Sequence, residues 1–143
     1  MRHLKEFEEY ITLGIARKQS KDIQRSKALK ENSEESYESL MAFVKSVGIS
    51  DKNANHIVKN AYDSIMERIR SKMAEEGYNT SGNGAHEAEV SYLRKLGFSD
   101  SDVDFADQLR YFRNGITYYG KKLDEAFAKK VMLFLEKIRN NIK

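Results

Sequence analysis

The residues best suited to chemistry lie between positions 110 and 122, where Arg110, Arg113, Lys121 and Lys122 are interleaved with Tyr111, Phe112, Tyr118 and Tyr119. On a helix this spacing puts Arg110, Asn114, Thr117 or Tyr118, and Lys121 on one side. The opposite side carries Phe105, Leu109, Phe112 and Ile116. The cations suit a phosphate backbone, so Arg110, Asn114, Lys121 and Lys122 are the expected nucleic-acid contacts. A plainer reading makes the same side solvated surface. Gly115 sits inside this helix, where glycine costs about 1 kcal/mol relative to alanine. Close approach of a neighbouring helix or of a partner chain is the expected reason.

Other chemistries find less support. There is no cysteine, which removes disulfides, thiolate metal sites and cysteine nucleophiles. The histidines are His3, His56 and His86. None has a second histidine at three to five positions, so no metal site is expected, and no cofactor either. His86, at the start of a short helix, is the histidine whose folded position bears most on proton transfer near Arg113. A local hydrogen bond is its simpler role. Ser81-Gly82-Asn83-Gly84 lacks the strand and lysine context of a phosphate loop and reads as a connection. Glu31, Glu34, Glu35 and Glu38 read as a solvated acidic face, with Ser33 and Ser36 diluting the core beside them.

The elements that must position these residues are helical. Apolar residues recur at steps of three and four, without sustained period-two alternation. A short helix holds Leu4, Phe7 and Ile11 and ends near Gly14. Ser20 or Asp22 caps the next, whose apolar positions run through Ile23, Leu29, Tyr37, Leu40, Val44 and Val47 to Gly48. Ser50 and Asp51 open a long core helix from Ala54 to Met73, stopped by Gly77. The stretch from Gly77 to Gly84 is a loop, and a short helix spans Ala85 to Leu96. Capping residues between Ser99 and Asp102 start the helix that carries Arg113, its apolar stripe continuing to Tyr119 before Gly120. The last helix starts near Asp124 and places Phe127, Val131, Phe134, Leu135, Ile138 and Ile142 on one face.

Two long helices, a medium one and a closing one, joined by short connections, predict an all-α, up-and-down helical bundle with additional short helices across it. One domain over residues 1–143 is expected. The absence of proline agrees with helix. Lys plus Arg number 25 against 22 Asp plus Glu, a net charge of +3 that favours anionic partners only mildly. No apolar run approaches the roughly 18 residues that span a bilayer, and Met1 to Tyr10 is charged rather than signal-like, so a cytoplasmic location without membrane contact is expected.

Arg113-Asn114, followed by Gly115 to Gly120 and preceded by Leu109-Arg110-Tyr111-Phe112, resembles the HEPN domains. Their hallmark is an arginine, usually followed by a polar residue, with a histidine four to six positions later. Asn53-Ala54-Asn55 through Ala61-Tyr62, and His86-Glu87-Ala88 leading to Leu93-Arg94-Lys95-Leu96-Gly97, add to the likeness, which covers roughly Asp51 to the carboxyl end. The resemblance implies a HEPN-like bundle and a metal-independent ribonuclease site at a homodimer interface, the arginine holding phosphate and the histidine moving the proton. Arg113 fits that role, whereas Tyr118 stands where the histidine belongs. A free phenol ionises near pH 10 and is a poor base at neutral pH. On a regular helix the two side chains also point about 140° apart, so a two-fold interface is needed to bring copies of them together.

The plainer reading pairs Arg113 with a carboxylate and packs Tyr118 at the helix end. The resemblance implies one of two functions: an RNA-associated interaction module, partnered by a nucleotidyltransferase in a toxin–antitoxin pair, or a weak ribonuclease using Arg113 with Tyr118 or His86.

Overall fold

The computed structural model describes residues 3–143. Met1 and Arg2, the start of the charged amino-terminal stretch, lie outside the described residues. The protein is an all-α helical bundle with one short ribbon. Its elements are α1 (Phe7–Thr12), β1 (Ala16–Lys18), α2 (Ile23–Val47), α3 (Ala54–Glu76), β2 (Tyr78–Thr80), α4 (Ala85–Lys95), α5 (Asp100–Tyr119) and α6 (Glu125–Asn141).

α3 is the axis of the bundle. Residues on every side of it are buried, from Ala54, Ile57 and Val58 through Tyr62, Ile65 and Ile69 to Met73, because α2, α4, α5 and α6 all pack against it. A helix covered all round needs apolar or small residues on all its faces. Arg68 is the exception, buried with its guanidinium bound to Glu34 of α2. The buried apolar side chains form one cluster that takes in α1, α3, α4, α5 and α6. Phe7 of α1 anchors one end, edge-on to Tyr92 at 4.8 Å and to Tyr78 at 5.3 Å.

α2 is held differently from the expectation. Ile23 and Val47 are exposed, and its buried residues are Ser26, Ser33 and Leu40, spaced seven apart. They oppose α3 in antiparallel order. Ser26 bonds to Ser71 and Ser33 to Ser64, each pair through hydroxyl and main-chain contacts. Small side chains let two helix backbones approach closely enough for a hydroxyl to reach the opposite carbonyl. Ser33, expected to dilute the core, is therefore part of the seam itself, whereas Ser36 stays half-exposed outside it. Glu34, assigned to a solvated face, is half-buried and binds Arg68 and Arg139, the latter at 2.8 Å.

Side chains cap the N-termini of α2, α5 and α6, and none caps α1, α3 or α4. Asp22, Ser99 and Asp124 accept the main-chain N–H groups of Arg25, Asp102 and Phe127. Asp51 does not cap α3. Its carboxylate accepts the N–H of Glu125 at 2.8 Å, while Asn53 bonds to Ser50 N and Gly48 O and so shapes the α2–α3 turn.

The ribbon places a short strand, Tyr78–Thr80, in the stretch expected to be a loop between Gly77 and Gly84. β1 and β2 pair antiparallel, Ala16 with Thr80, Arg17 with Asn79 and Lys18 with Tyr78. Three residues are too few to show a period-two pattern, and Ala-Arg-Lys has little strand preference. Tertiary closure sets the pairing. Gly77 turns at φ +88°, and a Cβ there would meet the Gln19 carbonyl at 2.6 Å, so only glycine lets the chain after β1 lie against the α3 terminus. Gln19 N–H then reaches Gly77 O at 2.8 Å and Asp22 N–H reaches Ala74 O at 2.9 Å.

Candidate nucleic-acid interface

α5 carries Arg110, Arg113, Asn114 and Tyr118, while Lys121 and Lys122, expected to follow on from the helix, lie in the connection after Gly120 beside the start of α3. Arg113 is half-exposed and held in place along its own helix. Its Nη1 donates to Thr117 Oγ1 at 2.6 Å, and Thr117 Oγ1 donates back to Arg113 O at 3.1 Å. Arg113 Nε lies 3.7 Å from Asp63 of α3. The expected ion pair is therefore present, and among the described residues Nη2 has no hydrogen-bond partner.

Tyr118 does not pack at the helix end. It is 75% exposed, Tyr119 is 86% exposed and Tyr111 is 67% exposed. Tyr119, placed on the apolar stripe by its spacing, falls after the last neighbour that could cover it, so the stripe ends at the half-buried Ile116. Arg113 turns toward α3 while Tyr118 stands in solvent, so one chain does not bring the two together.

Arg110 is committed elsewhere. Its Nε donates to Asp107 at 2.8 Å and its Nη2 lies 3.9 Å from Glu87 of α4, with the side chain 19% exposed. Asn114 and Lys122 are exposed. Lys121 lays its stem across Gly115 and holds its ammonium 4.8 Å above the Phe112 ring. The close approach predicted at Gly115 is thus made by the chain's own next segment: a Cβ there would sit 3.3 Å from Lys121 Cδ.

The connection after α5 is clamped from α3. Asn55 donates from Nδ2 to Lys121 O at 2.9 Å and accepts Leu123 N–H at Oδ1 at 2.8 Å. Only the resemblance singles this residue out, and nothing in its local sequence gives the long-range role away. Its effect is to fix the direction in which Lys121 and Lys122 leave the helix.

The histidines do not converge on this surface. His86 is exposed at the first turn of α4. The ring of His56 packs 4.8 Å from Phe43, and His3 bonds to Asp104 at 3.0 Å. Among the described residues no group of three or more His, Asp or Glu could hold a metal ion, and no helix is long and apolar enough to cross a membrane. No family model matches the chain, nor does any curated protein or solved structure compared with it.

Proposed function

We propose that this chain is a HEPN-like interaction module that holds single-stranded RNA on the outer end of α5 and does not cut it. The observation that carries the reading is the exposure of Tyr111, Tyr118 and Tyr119 beside Arg113 and Asn114 at the end of α5, with Lys122 exposed in the connection that follows. Exposed aromatic rings stack on unpaired bases and adjacent cations track the phosphates, a combination indifferent to base sequence. Arg113 supplies the phosphate contact. Arg110, spent on Asp107 and Glu87, supports the α4–α5 packing and takes no part in the contact. A homodimer pairing α5 with its copy would line one cleft with both sets of residues. The resemblance alone supports a nucleotidyltransferase as protein partner.

The second reading, a weak metal-independent ribonuclease across that homodimer interface, uses the same anchored Arg113 but needs a proton-transfer group. Tyr118 and His86 are the available ones. A single experiment separates the two: a 5′-labelled single-stranded RNA is titrated with the purified protein in EDTA, with readout by fluorescence anisotropy and by gel. Binding with intact RNA, weakened in Arg113→Ala, supports the module. Cleavage that vanishes in Arg113→Ala replaces it with the ribonuclease. No binding at all sinks both.

A further inference from the structure

The β ribbon has a use that the nucleic-acid reading leaves untouched. A two-stranded ribbon is marginal on its own, and this one forms a wall of a cavity of about 290 Å³. Five separate segments converge on it: Asp22 before α2, Arg25 in the first turn of α2, Arg70 and Met73 on α3, Asn79 on β2 and Glu89 on α4. None of them belongs to the α5 surface.

Its polar groups are arranged as in a binding site. Glu89 is 6% exposed and takes a two-pronged contact from Arg70, Nε to Oε2 at 2.8 Å and Nη2 to Oε1 at 3.1 Å. That leaves the buried carboxylate oriented and still able to accept further donors. Asn79 Oδ1 is buried and accepts no hydrogen bond from the described residues. Buried acceptors are nearly always satisfied, and one that is not needs an explanation. Arg25 is exposed at the mouth, and the adjacent Asp22 uses only Oδ1 in its cap to Arg25 N. Two guanidiniums and two carboxylates leave the cavity without net charge, Arg70 being paired with Glu89 while Arg25 and Asp22 stand side by side at the mouth. Met73 supplies an apolar floor.

We propose that this cavity binds a free α-amino acid. The ligand's carboxylate takes the Arg25 guanidinium, its ammonium donates toward Glu89, Asp22 and the unsatisfied Asn79 oxygen, and its side chain lies along Met73. A molecule carrying both signs offers an acceptor to the exposed Arg25 and donors to the unsatisfied Asn79 oxygen and the carboxylate oxygens. A phosphate-bearing ligand brings only negative charge to a site that already holds two carboxylates, and a simple cation leaves Arg25 without an acceptor.

Thermal unfolding of the full chain with each common L-amino acid in turn tests this, with adenosine monophosphate and inorganic phosphate as controls and calorimetric titration of whatever shifts the midpoint. At least one amino acid should raise the midpoint by roughly 5–10 °C at about a hundred times its Kd. Arg25→Ala, an exposed change that leaves the fold intact, should raise that Kd roughly tenfold or more, as loss of a charge-assisted contact does. Asn79→Leu should weaken it as well. No shift with any amino acid overturns the proposal, and so does an equal Kd in Arg25→Ala. A response confined to phosphate or the nucleotide overturns it in favour of an anion site. The RNA titration is a separate measurement, so either reading can fail while the other stands.

Discussion

Ser33 on α2 and Ser64 on α3 exchange hydrogen bonds, each hydroxyl donating to the other residue's main-chain carbonyl, at 2.8 Å and 3.0 Å. The pair is buried, and nothing larger than a hydroxymethyl group permits the approach. Ser33→Leu is expected to wedge the helices apart, since forcing methylenes into a close-packed contact costs typically about 1–3 kcal/mol, with the lost hydrogen bonds in addition. Ser33→Ala keeps the volume and should cost only about 1 kcal/mol. Urea unfolding monitored by circular dichroism compares them. A leucine variant as stable as the alanine variant would refute the seam.

This seam also marks where sequence reasoning stops. The capping residues Asp22, Ser99 and Asp124, with Gly48, Gly77 and Gly120 closing helices, announce their elements locally, and the structure agrees with them. Ser33 announces nothing, because a serine in a helix reads as surface until its opposite number across the interface is known. The ribbon is hidden for a related reason: Gly77 signals a stop, but only contact with Gln19 makes a strand of Tyr78–Thr80. At the candidate site the cationic and aromatic composition is visible in the sequence. The commitment of Arg110 to Glu87, the exposure of Tyr119 and the Asn55 clamp depend on partners 23 to 68 positions away along the chain, or on the absence of any.

The carboxylate of Glu34 should make stability depend on pH. The hydrogen bond from Arg139 first, then the charge of Arg68, hold its pKa below the ordinary carboxylate value against the opposing effect of burial. A depressed folded-state pKa contributes stability that is fully present above the unfolded value, near 4.3, and is lost as pH falls through the lower folded value. Unfolding of wild type and Glu34→Gln should therefore differ at pH 6, and the difference should shrink as the pH falls below the ordinary carboxylate value and vanish only below the depressed folded one. A difference that persists unchanged at low pH would mean that the side chain acts by packing instead.

Gly115→Ala separates helix propensity from the role of Lys121. The residue has an ordinary helical backbone, so a methyl should stabilise α5 by up to about 1 kcal/mol. The new Cβ sits 3.3 Å from Lys121 Cδ, the movable part of a long side chain, which must give by a few tenths of an ångström and so loosens its contact with the Phe112 ring. The expected result is a small gain in thermal stability, with chemical-shift changes confined to Phe112 and residues 120–123. Loss of stability would show that the Lys121 stem is worth more to the fold than the helix gains.

The RNA reading distinguishes cations that look alike in sequence. Lys122 is exposed, and Arg113 Nη2 has no hydrogen-bond partner among the described residues. Replacing either with alanine should weaken RNA binding and lower the slope of log affinity against log salt by about 1 each. Tyr118→Ala and Tyr119→Ala should each lose roughly 1–3 kcal/mol of binding, with the salt slope unchanged, because stacking moves no counterions. Arg110→Ala should behave differently from all four. Its guanidinium already answers Asp107 and Glu87, so the change should lower stability while leaving the RNA affinity of the folded protein within about twofold, the scale of a mutation that touches no phosphate. Anisotropy at several salt concentrations measures every one of these. If Arg110→Ala reduced the salt slope as much as Lys122→Ala, the phosphate path would run along α4 and the middle of α5, and the outer end of the helix would no longer be the contact surface.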